Sequence, residues 1–274
     1  MGMESFVNVD GARIHYRVVG SGPVLFISQS GEGDADRTVD LAGHLVDRFA
    51  VVTYDRRGLS RSTAEDAGAA VSMRQHASDA AAVLRQVTDE PAAMLGLSLG
   101  AAIGLHMLGE FPGTIGTLIA HEPIALRFLG AADAFDAREK LGGVVKTYGE
   151  SGWRAAAAQV AAVLGINPHD QDTEPGITRF PFTEQRAANF EFFLANDIDA
   201  ALGDSLAMAD VPRDARVLPA VGQTSPHDGF DYLAGLALAE HLGVEAVRFP
   251  GGHNGNLTHP QAFAHLVREL LPAA

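Results

Sequence analysis

A five-residue stretch, Gly96-Leu97-Ser98-Leu99-Gly100, constrains the fold of this chain more than any other feature. It follows the apolar residues Ala92 to Leu95 and precedes the small and apolar residues Ala101 to Leu108. The first run predicts the end of a buried strand, and the second predicts a helix. A serine on so tight a turn, with glycines relieving the crowding, presents its hydroxyl to a cleft beside a helix N-terminus. We therefore predict that Ser98 is a nucleophile, with helix N–H groups nearby to stabilise negative charge.

Strand and helix patterns alternate on both sides of this turn. Short apolar runs such as Val24 to Ile27 predict buried strands, and amphipathic stretches such as Met73 to Val87 predict helices. Alternation of this kind predicts an α/β fold, with a mostly parallel central sheet and helices on both faces. From residue 124 to residue 210 the strand patterns stop and helical patterns dominate. We interpret residues 1–123 and 211–274 as the core domain and residues 124–210 as an inserted helical lid, or cap.

The charge and the cysteine content limit the partners that we expect. The net charge of −14 would repel nucleic acids and anionic membrane surfaces. The N-terminus lacks a basic region followed by an apolar stretch, and no apolar run approaches the roughly 18 residues of a membrane span. The chain has no cysteine, which excludes disulfides and thiolate chemistry. We expect a cytoplasmic protein that acts on a small molecule, either as a monomer or as a homodimer.

A hydrolytic serine needs a histidine base within hydrogen-bond reach, and that base needs a carboxylate partner. Eleven histidines are present, and His253 is favoured among them. It follows the last predicted strand, Val244 to Phe249, in the glycine-rich loop Pro250 to Gly255. This position lies at the same edge of the sheet as Ser98, where open α/β sheets hold their sites.

Four segments together give the chain a resemblance to the α/β-hydrolase fold superfamily along nearly its whole length. They are Gly22 to Ile27, Tyr54 to Ser60, Gly96 to Gly100 and Pro250 to His253. The resemblance implies that Ser98 is the nucleophile, that His253 is the base, and that no cofactor or metal is needed. Serine rather than aspartate at the elbow argues against haloalkane dehalogenase or epoxide hydrolase chemistry in this fold.

The acid of the triad departs from the usual pattern of the family. Members of the family usually carry it in a Gly-x-Asp-like turn, which here runs from Val221 to Asp228 and has Thr224 closest to the expected position. Glu122, at the end of the strand after the elbow helix, is our favoured acid, and this placement resembles the zearalenone-type lactone hydrolases. Asp228 is the alternative acid. Asp231 reaches the histidine only if the loop folds tightly. The possibility that the chain has no working acid also stays open.

The oxyanion of an ester reaction needs two converging N–H donors. Leu99, directly after the nucleophile, supplies one of them. The loop that reads His-Gly in much of the family is Gln29-Ser30-Gly31 here, and the N–H group of Ser30 or Gly31 supplies the second. The side chain of Gln29 is a candidate contact for a substrate carbonyl.

The predicted lid is rich in large apolar side chains, which favours a mostly apolar substrate. Trp153 and Phe128 are the candidate substrate contacts there. We therefore predict a serine hydrolase of the carboxylesterase or lactonase type, which cleaves a carboxylic ester or lactone through an acyl-enzyme. Two alternatives stay open. One is a C–C bond hydrolase, acyltransferase or lyase with the same triad, and the other is a non-catalytic protein that binds a small ligand.

Overall fold

The computed structural model describes residues 2–66, 68–168, 170–213 and 215–271. These residues form a nine-stranded sheet, with strands β1 (Met3–Val9), β2 (Ala12–Val19), β3 (Val24–Ser28), β4 (Ala50–Tyr54), β5 (Thr63–Ala64), β6 (Ala92–Leu97), β7 (Ile115–His121), β8 (Arg216–Gly222) and β9 (Val247–Phe249). The strand order is β1-β2-β4-β3-β6-β7-β8-β9, and the short β5 pairs with β2. Strands β3, β4 and β6 to β9 pair in parallel, whereas β1, β2 and β5 are antiparallel to their neighbours. The predicted mostly parallel α/β sheet is confirmed.

Helices lie on both faces of this sheet, and three further helices lie in a segment between β7 and β8. They are α1 (Val39–Gly43), α2 (Met73–Leu84), α3 (Leu99–Glu110), α4 (Ala131–Val163), α5 (Glu184–Phe192), α6 (Ile198–Leu202), α7 (Phe230–Leu242), α8 (Gly255–Thr258) and α9 (Pro260–Leu270). Alternate residues of one strand enter different cores, because successive side chains point to opposite faces. In β3, Phe26 packs with α2 and α3, whereas Leu25 and Ile27 pack with α1 and α9. None of the helices in the described part of the chain has the length and apolar character to cross a membrane.

Residues 124–210, called the helical segment below, contain α4, α5 and α6 between β7 and β8. Helix α4 is interrupted at Gly152, where φ is +78°, so that a second helix begins at Trp153. A π-helical turn, Phe193–Asp197, separates α5 from α6. The kink at Gly152 thus separates the two parts of α4, and the second part, beginning with Trp153, lines the cavity described below.

The last strand is shorter than predicted. Val244 is exposed, and its N–H group donates to the Ala239 carbonyl at the end of α7. The residue thus completes the C-terminal turn of α7 instead of joining the sheet, and β9 begins only at Val247.

Candidate active site

Ser98 occupies the elbow between β6 and α3, with the backbone angles φ 56° and ψ −113°. A non-glycine residue in such a conformation costs about 1–3 kcal/mol and persists only where the surroundings hold it. A Cβ atom on Gly100 would lie 2.0 Å from the Ser28 carbonyl oxygen, and one on Gly96 would lie 2.6 Å from the Ala101 Cα. Both flanking glycines are therefore required by close packing. The Ser98 N–H group donates to the His121 carbonyl at 2.8 Å, which anchors the elbow to β7.

Glu122 follows β7 directly and is completely buried. Its N–H group donates to the Ala220 carbonyl at 2.9 Å, and one carboxylate oxygen accepts from the Gly222 N–H group at 2.8 Å. The other carboxylate oxygen lies 2.8 Å from Nδ1 of His253 and accepts its hydrogen bond. Two bonds to β8 thus fix the orientation of Glu122, and the carboxylate holds the imidazole of His253 in turn.

A second carboxylate contacts the same nitrogen of His253. Asp231 lies in the first turn of α7 and is 3% exposed, and its Oδ2 is 2.6 Å from Nδ1 of His253. Nδ1 carries one proton, and the hydrogen bond given by the geometry runs to Glu122. Asp231 therefore adds a second negative charge at the ring. The sequence offered Asp231 only as a residue that reaches back if its loop folds tightly, and the first turn of α7 brings it to His253 in the structure.

The charges of these groups depend on one another. Burial favours neutral His253, but the carboxylates of Asp231 and Glu122 outweigh it and raise the pKa of His253 well above the ordinary value of 6.5. Burial also raises the pKa of the Glu122 carboxyl, but the hydrogen bond from His253 and the charges of the neighbouring histidines together outweigh burial and lower this pKa. His121, next to Glu122, behaves differently, since burial lowers its pKa to about 4. At neutral pH the arrangement therefore favours an imidazolium at His253 and a neutral ring at His121.

Arg56 holds the loop after β3 that carries the predicted second oxyanion donor. Its guanidinium is completely buried and donates to the carbonyls of Ser30 (2.5 Å) and Gly31 (2.6 Å). The same guanidinium donates to Asp197 at 2.6 Å, in the π-helical turn of the helical segment. One buried ion pair thus joins the loop to the helical segment.

Ser98 and His253 line a cavity of about 840 Å³ that the helical segment closes on the opposite side. Nε2 of His253 is buried and has no hydrogen-bond partner in the described part of the protein, Ser98 included, so in the neutral ring this nitrogen is free to accept a proton. Leu99, Ser30 and Gly31 also line this cavity. The structure thus brings the predicted nucleophile, base and oxyanion loop to one space.

Of the three predicted substrate contacts, Trp153 alone lines the cavity. Gln29 is 2% exposed, and its side-chain amide donates to the Thr38 hydroxyl at 3.2 Å. Phe128, near the start of the helical segment, is 6% exposed and packs in the hydrophobic core. The predictions for Gln29 and Phe128 are corrected accordingly, because both side chains turn into the protein. Asp228, the alternative acid, is exposed and has no contact with His253 among the described residues.

The site also contains a group of side chains that could hold a metal ion. One possible ligand atom from each of Glu122, Asp231 and His253 lies within 4.8 Å of the other two. A tetrahedral zinc site with bonds of about 2.0–2.1 Å separates its ligand atoms by roughly 3.3 Å. Here the carboxylate oxygens lie 2.8 Å and 2.6 Å from Nδ1, which are hydrogen-bond lengths. The geometry fits a protonated imidazole between two carboxylates better than a set of metal ligands.

The comparison with known proteins agrees with this architecture. The model of the α/β-hydrolase fold family matches residues 23–169. The uncharacterized hydrolase YraK of Bacillus subtilis is 31% identical over 270 residues, which cover 97% of this chain and 94% of the relative.

Two solved structures are similar in fold along nearly the whole chain. The enol-lactonase of Burkholderia xenovorans has a TM-score of 0.70 at 19% identity, with 97% of this chain and 98% of that chain covered. A thermophilic esterase of Thermogutta terrifontis has a TM-score of 0.71 at 17% identity, with 98% and 97% covered. With the strand order, the elbow and the family match in agreement, the chain belongs to the α/β-hydrolase fold family and is a hydrolase.

Proposed function

We propose that this protein is a serine hydrolase that cleaves a carboxylic ester or lactone through an acyl-enzyme intermediate. The observation that carries the proposal is the hydrogen bond between Glu122 and His253 (2.8 Å) beside a cavity that contains Ser98 on a strained elbow. A base with an orienting carboxylate and an exposed hydroxyl are the parts that acyl transfer needs. The similar folds of a lactonase and an esterase support the choice of an ester bond.

The reaction begins with neutral His253. Nε2 takes the proton of the Ser98 hydroxyl while Oγ forms a bond to the substrate carbonyl carbon, and the carbonyl electrons move to oxygen. His253 then gives the proton to the leaving alcohol oxygen as that carbon–oxygen bond breaks. Water attacks the acyl-enzyme in the same way, and its proton passes through His253 to Ser98. Glu122 stabilises the imidazolium that forms in each step.

The oxyanion of both tetrahedral intermediates is proposed to bind between two backbone N–H groups. Leu99, the first residue of α3, supplies one, and the loop at Ser30 or Gly31 supplies the other. Because Arg56 holds the carbonyls of that loop, the N–H groups are fixed before the substrate binds. Fixed donors stabilise developing charge without reorganisation, which is the larger part of their catalytic value.

We propose that the helical segment acts as the lid and determines which substrate enters. Trp153 stacks on Phe182, with ring centroids 5.0 Å apart, and on Phe190 at 6.3 Å. All three rings line the cavity and offer an apolar surface opposite Ser98. This surface favours a substrate with a mostly apolar body.

The test is hydrolysis of a series of 4-nitrophenyl esters and of a macrocyclic lactone, combined with fluorophosphonate labelling. Wild type is expected to turn over at least one ester and to be labelled at Ser98. Ser98→Ala should lose labelling and about 10⁴-fold or more in kcat/KM, since the nucleophile is gone. Asp228→Asn is the matched control, because this exposed carboxylate does not contact His253.

Product analysis separates the proposal from chemistry that shares the same residues. Formation of an acid and an alcohol supports ester hydrolysis. Cleavage of a carbon–carbon bond, or transfer of the acyl group to another acceptor, would replace the proposal. Ligand binding without labelling or turnover would overturn the enzymatic function.

A further inference from the structure

The charge of the cavity is opposite to the charge of the protein. The chain has 34 acidic and 20 basic residues. Among the described residues the cavity is lined by four arginines but only two carboxylates, namely Arg37, Arg154, Arg179 and Arg186 against Glu32 and Asp197. The cavity thus has one fifth of the basic residues and a far smaller share of the acidic ones, so composition does not account for the arginines.

Both cavity carboxylates are already neutralised by guanidinium groups. Asp197 pairs with the buried Arg56 at 2.6 Å. Glu32 is shared between Arg37 (3.1 Å) and Arg186 (2.5 Å). One carboxylate between two guanidiniums leaves a net positive charge on that side of the cavity.

The other two arginines have no carboxylate partner in the described part of the protein. Arg154 and Arg179 are both exposed at the cavity. The guanidinium carbon of Arg154 lies 4.3 Å from the centre of the Trp153 ring, and that of Arg37 lies 4.4 Å from the centre of the Phe180 ring. A guanidinium stacked on a ring keeps the N–H donors at its edge free for a planar acceptor.

We infer that the cavity selects esters or lactones that carry an anionic group of the carboxylate type, which binds to Arg154 and Arg179. The inference rests on the proposed function, because it places the scissile carbonyl at Ser98. The apolar body of the substrate lies against Trp153 and the rings stacked on it. A planar carboxylate matches the two-pronged guanidinium edge, and the local positive field draws anions toward an otherwise acidic protein.

Kinetics on a matched pair of substrates tests this selection. The pair is 4-nitrophenyl hexanoate and the mono-4-nitrophenyl ester of adipic acid, which differ in a terminal methyl or carboxylate group. Wild type should prefer the anionic ester by about tenfold or more in kcat/KM, with the preference shrinking as salt screens the charges. The double variant Arg154→Gln/Arg179→Gln should lower this ratio at least fivefold.

Arg85→Gln is the matched control, because Arg85 is also an exposed arginine near an aromatic ring, that of Phe111, but does not line the cavity. It should leave the substrate ratio unchanged. A wild-type preference for the neutral ester, or a ratio unchanged in the double variant, would overturn the inference. A phosphate-terminated ester preferred over the adipate ester would replace carboxylate by phosphate as the ligand group.

Ligand binding measured by calorimetry distinguishes failure of this inference from failure of the proposed function. Octanoate and octanamide share an apolar chain, and neither requires turnover. Tighter binding of octanoate by wild type, lost in the double variant, would support the anionic selection even if no ester is hydrolysed. Equal binding of the two compounds, together with ester turnover, would leave the hydrolase proposal intact and remove the anionic selection.

Discussion

The two sides of the cavity are built in different ways. At the sheet edge, Glu122 is completely buried, and Asp231 and His253 are at most 5% exposed, with short contacts between them. At the opposite side, Phe182 is 53% exposed and Trp153 is half-buried. The sheet edge is held by hydrogen bonds to neighbouring strands, whereas the aromatic rings that the helical segment presents to the cavity are held by stacking on one another.

This difference indicates a division of labour between the chemical step and the choice of substrate. A site that moves protons needs fixed distances, and buried hydrogen bonds to strands provide them. A surface that selects a substrate can tolerate changes of side chain, because its residues do not support the sheet. We therefore expect variants at the sheet edge to lower kcat and variants of the aromatic rings of the helical segment to change KM.

The largest effect after loss of the nucleophile is expected for Glu122→Gln. The amide keeps the shape of the side chain but removes the charge that stabilises the imidazolium of His253. We expect a loss of about 10²–10⁴-fold in kcat/KM, by analogy with removal of the acid from other triads. Steady-state kinetics on the best 4-nitrophenyl ester measures it. Activity near the wild-type value would show that Glu122 is not the acid of the triad.

Asp197→Asn tests the buried ion pair of Asp197 with Arg56, which joins the two sides. It leaves the Arg56 charge buried and unpaired, which we expect to lower the free energy of unfolding by about 3–5 kcal/mol. The carbonyls of Ser30 and Gly31 lose a fixed partner at the same time, so kcat should fall about tenfold or more because the oxyanion donors are displaced. Urea denaturation and kinetics measure the two effects.

Asp199→Asn is the control for this experiment, because Asp199 is exposed and lies two residues away. It should change neither quantity. A destabilised Asp197→Asn protein with unchanged kcat would show that the ion pair serves folding alone.

The pH profile of Asp231→Asn tests the second carboxylate. The reaction needs neutral His253, so kcat/KM of wild type should rise with pH through a pKa above the ordinary 6.5. Removing one negative charge destabilises the imidazolium, which lowers this pKa and moves the rise in activity to lower pH. We expect a shift of about one pH unit or more, and hence a gain in activity near neutral pH. A rise at the same pH in both proteins would contradict the role of Asp231.

Much of the sheet edge could be predicted from the sequence, because local patterns determine it. An apolar strand followed by Gly-x-Ser-x-Gly specifies the elbow at Ser98, and the end of β7 places Glu122 at the same edge. The contact of Asp231 with His253 depends on the angle at which α7 leaves the sheet, which no local pattern encodes. The inward direction of Gln29 is likewise a result of packing against Thr38.

The sequence also did not predict that arginines line the cavity together, because Arg37 and Arg154 are far apart in the chain. Both residues line the cavity because the helical segment folds back over the loop after β3. The break of α4 at Gly152 lies directly before Trp153 and Arg154 of the cavity, and a broken helix has no sequence signature strong enough to predict it. The specificity that we propose therefore depends on the part of the fold that sequence patterns describe least well.

The smallest effect is expected on the substrate side, for Trp153→Ala. The substitution removes the ring that stacks on Phe182 and Phe190, but it touches no group that moves a proton. Loss of apolar contact worth about 1–2 kcal/mol should raise KM roughly tenfold and leave kcat within a few-fold of wild type. Phe135→Ala is the matched control, since Phe135 lies in the first part of α4, before the kink, is 67% exposed and does not line the cavity. A fall in kcat without a change in KM would mean that the helical segment takes part in the chemical step, and the division between the two sides would no longer hold.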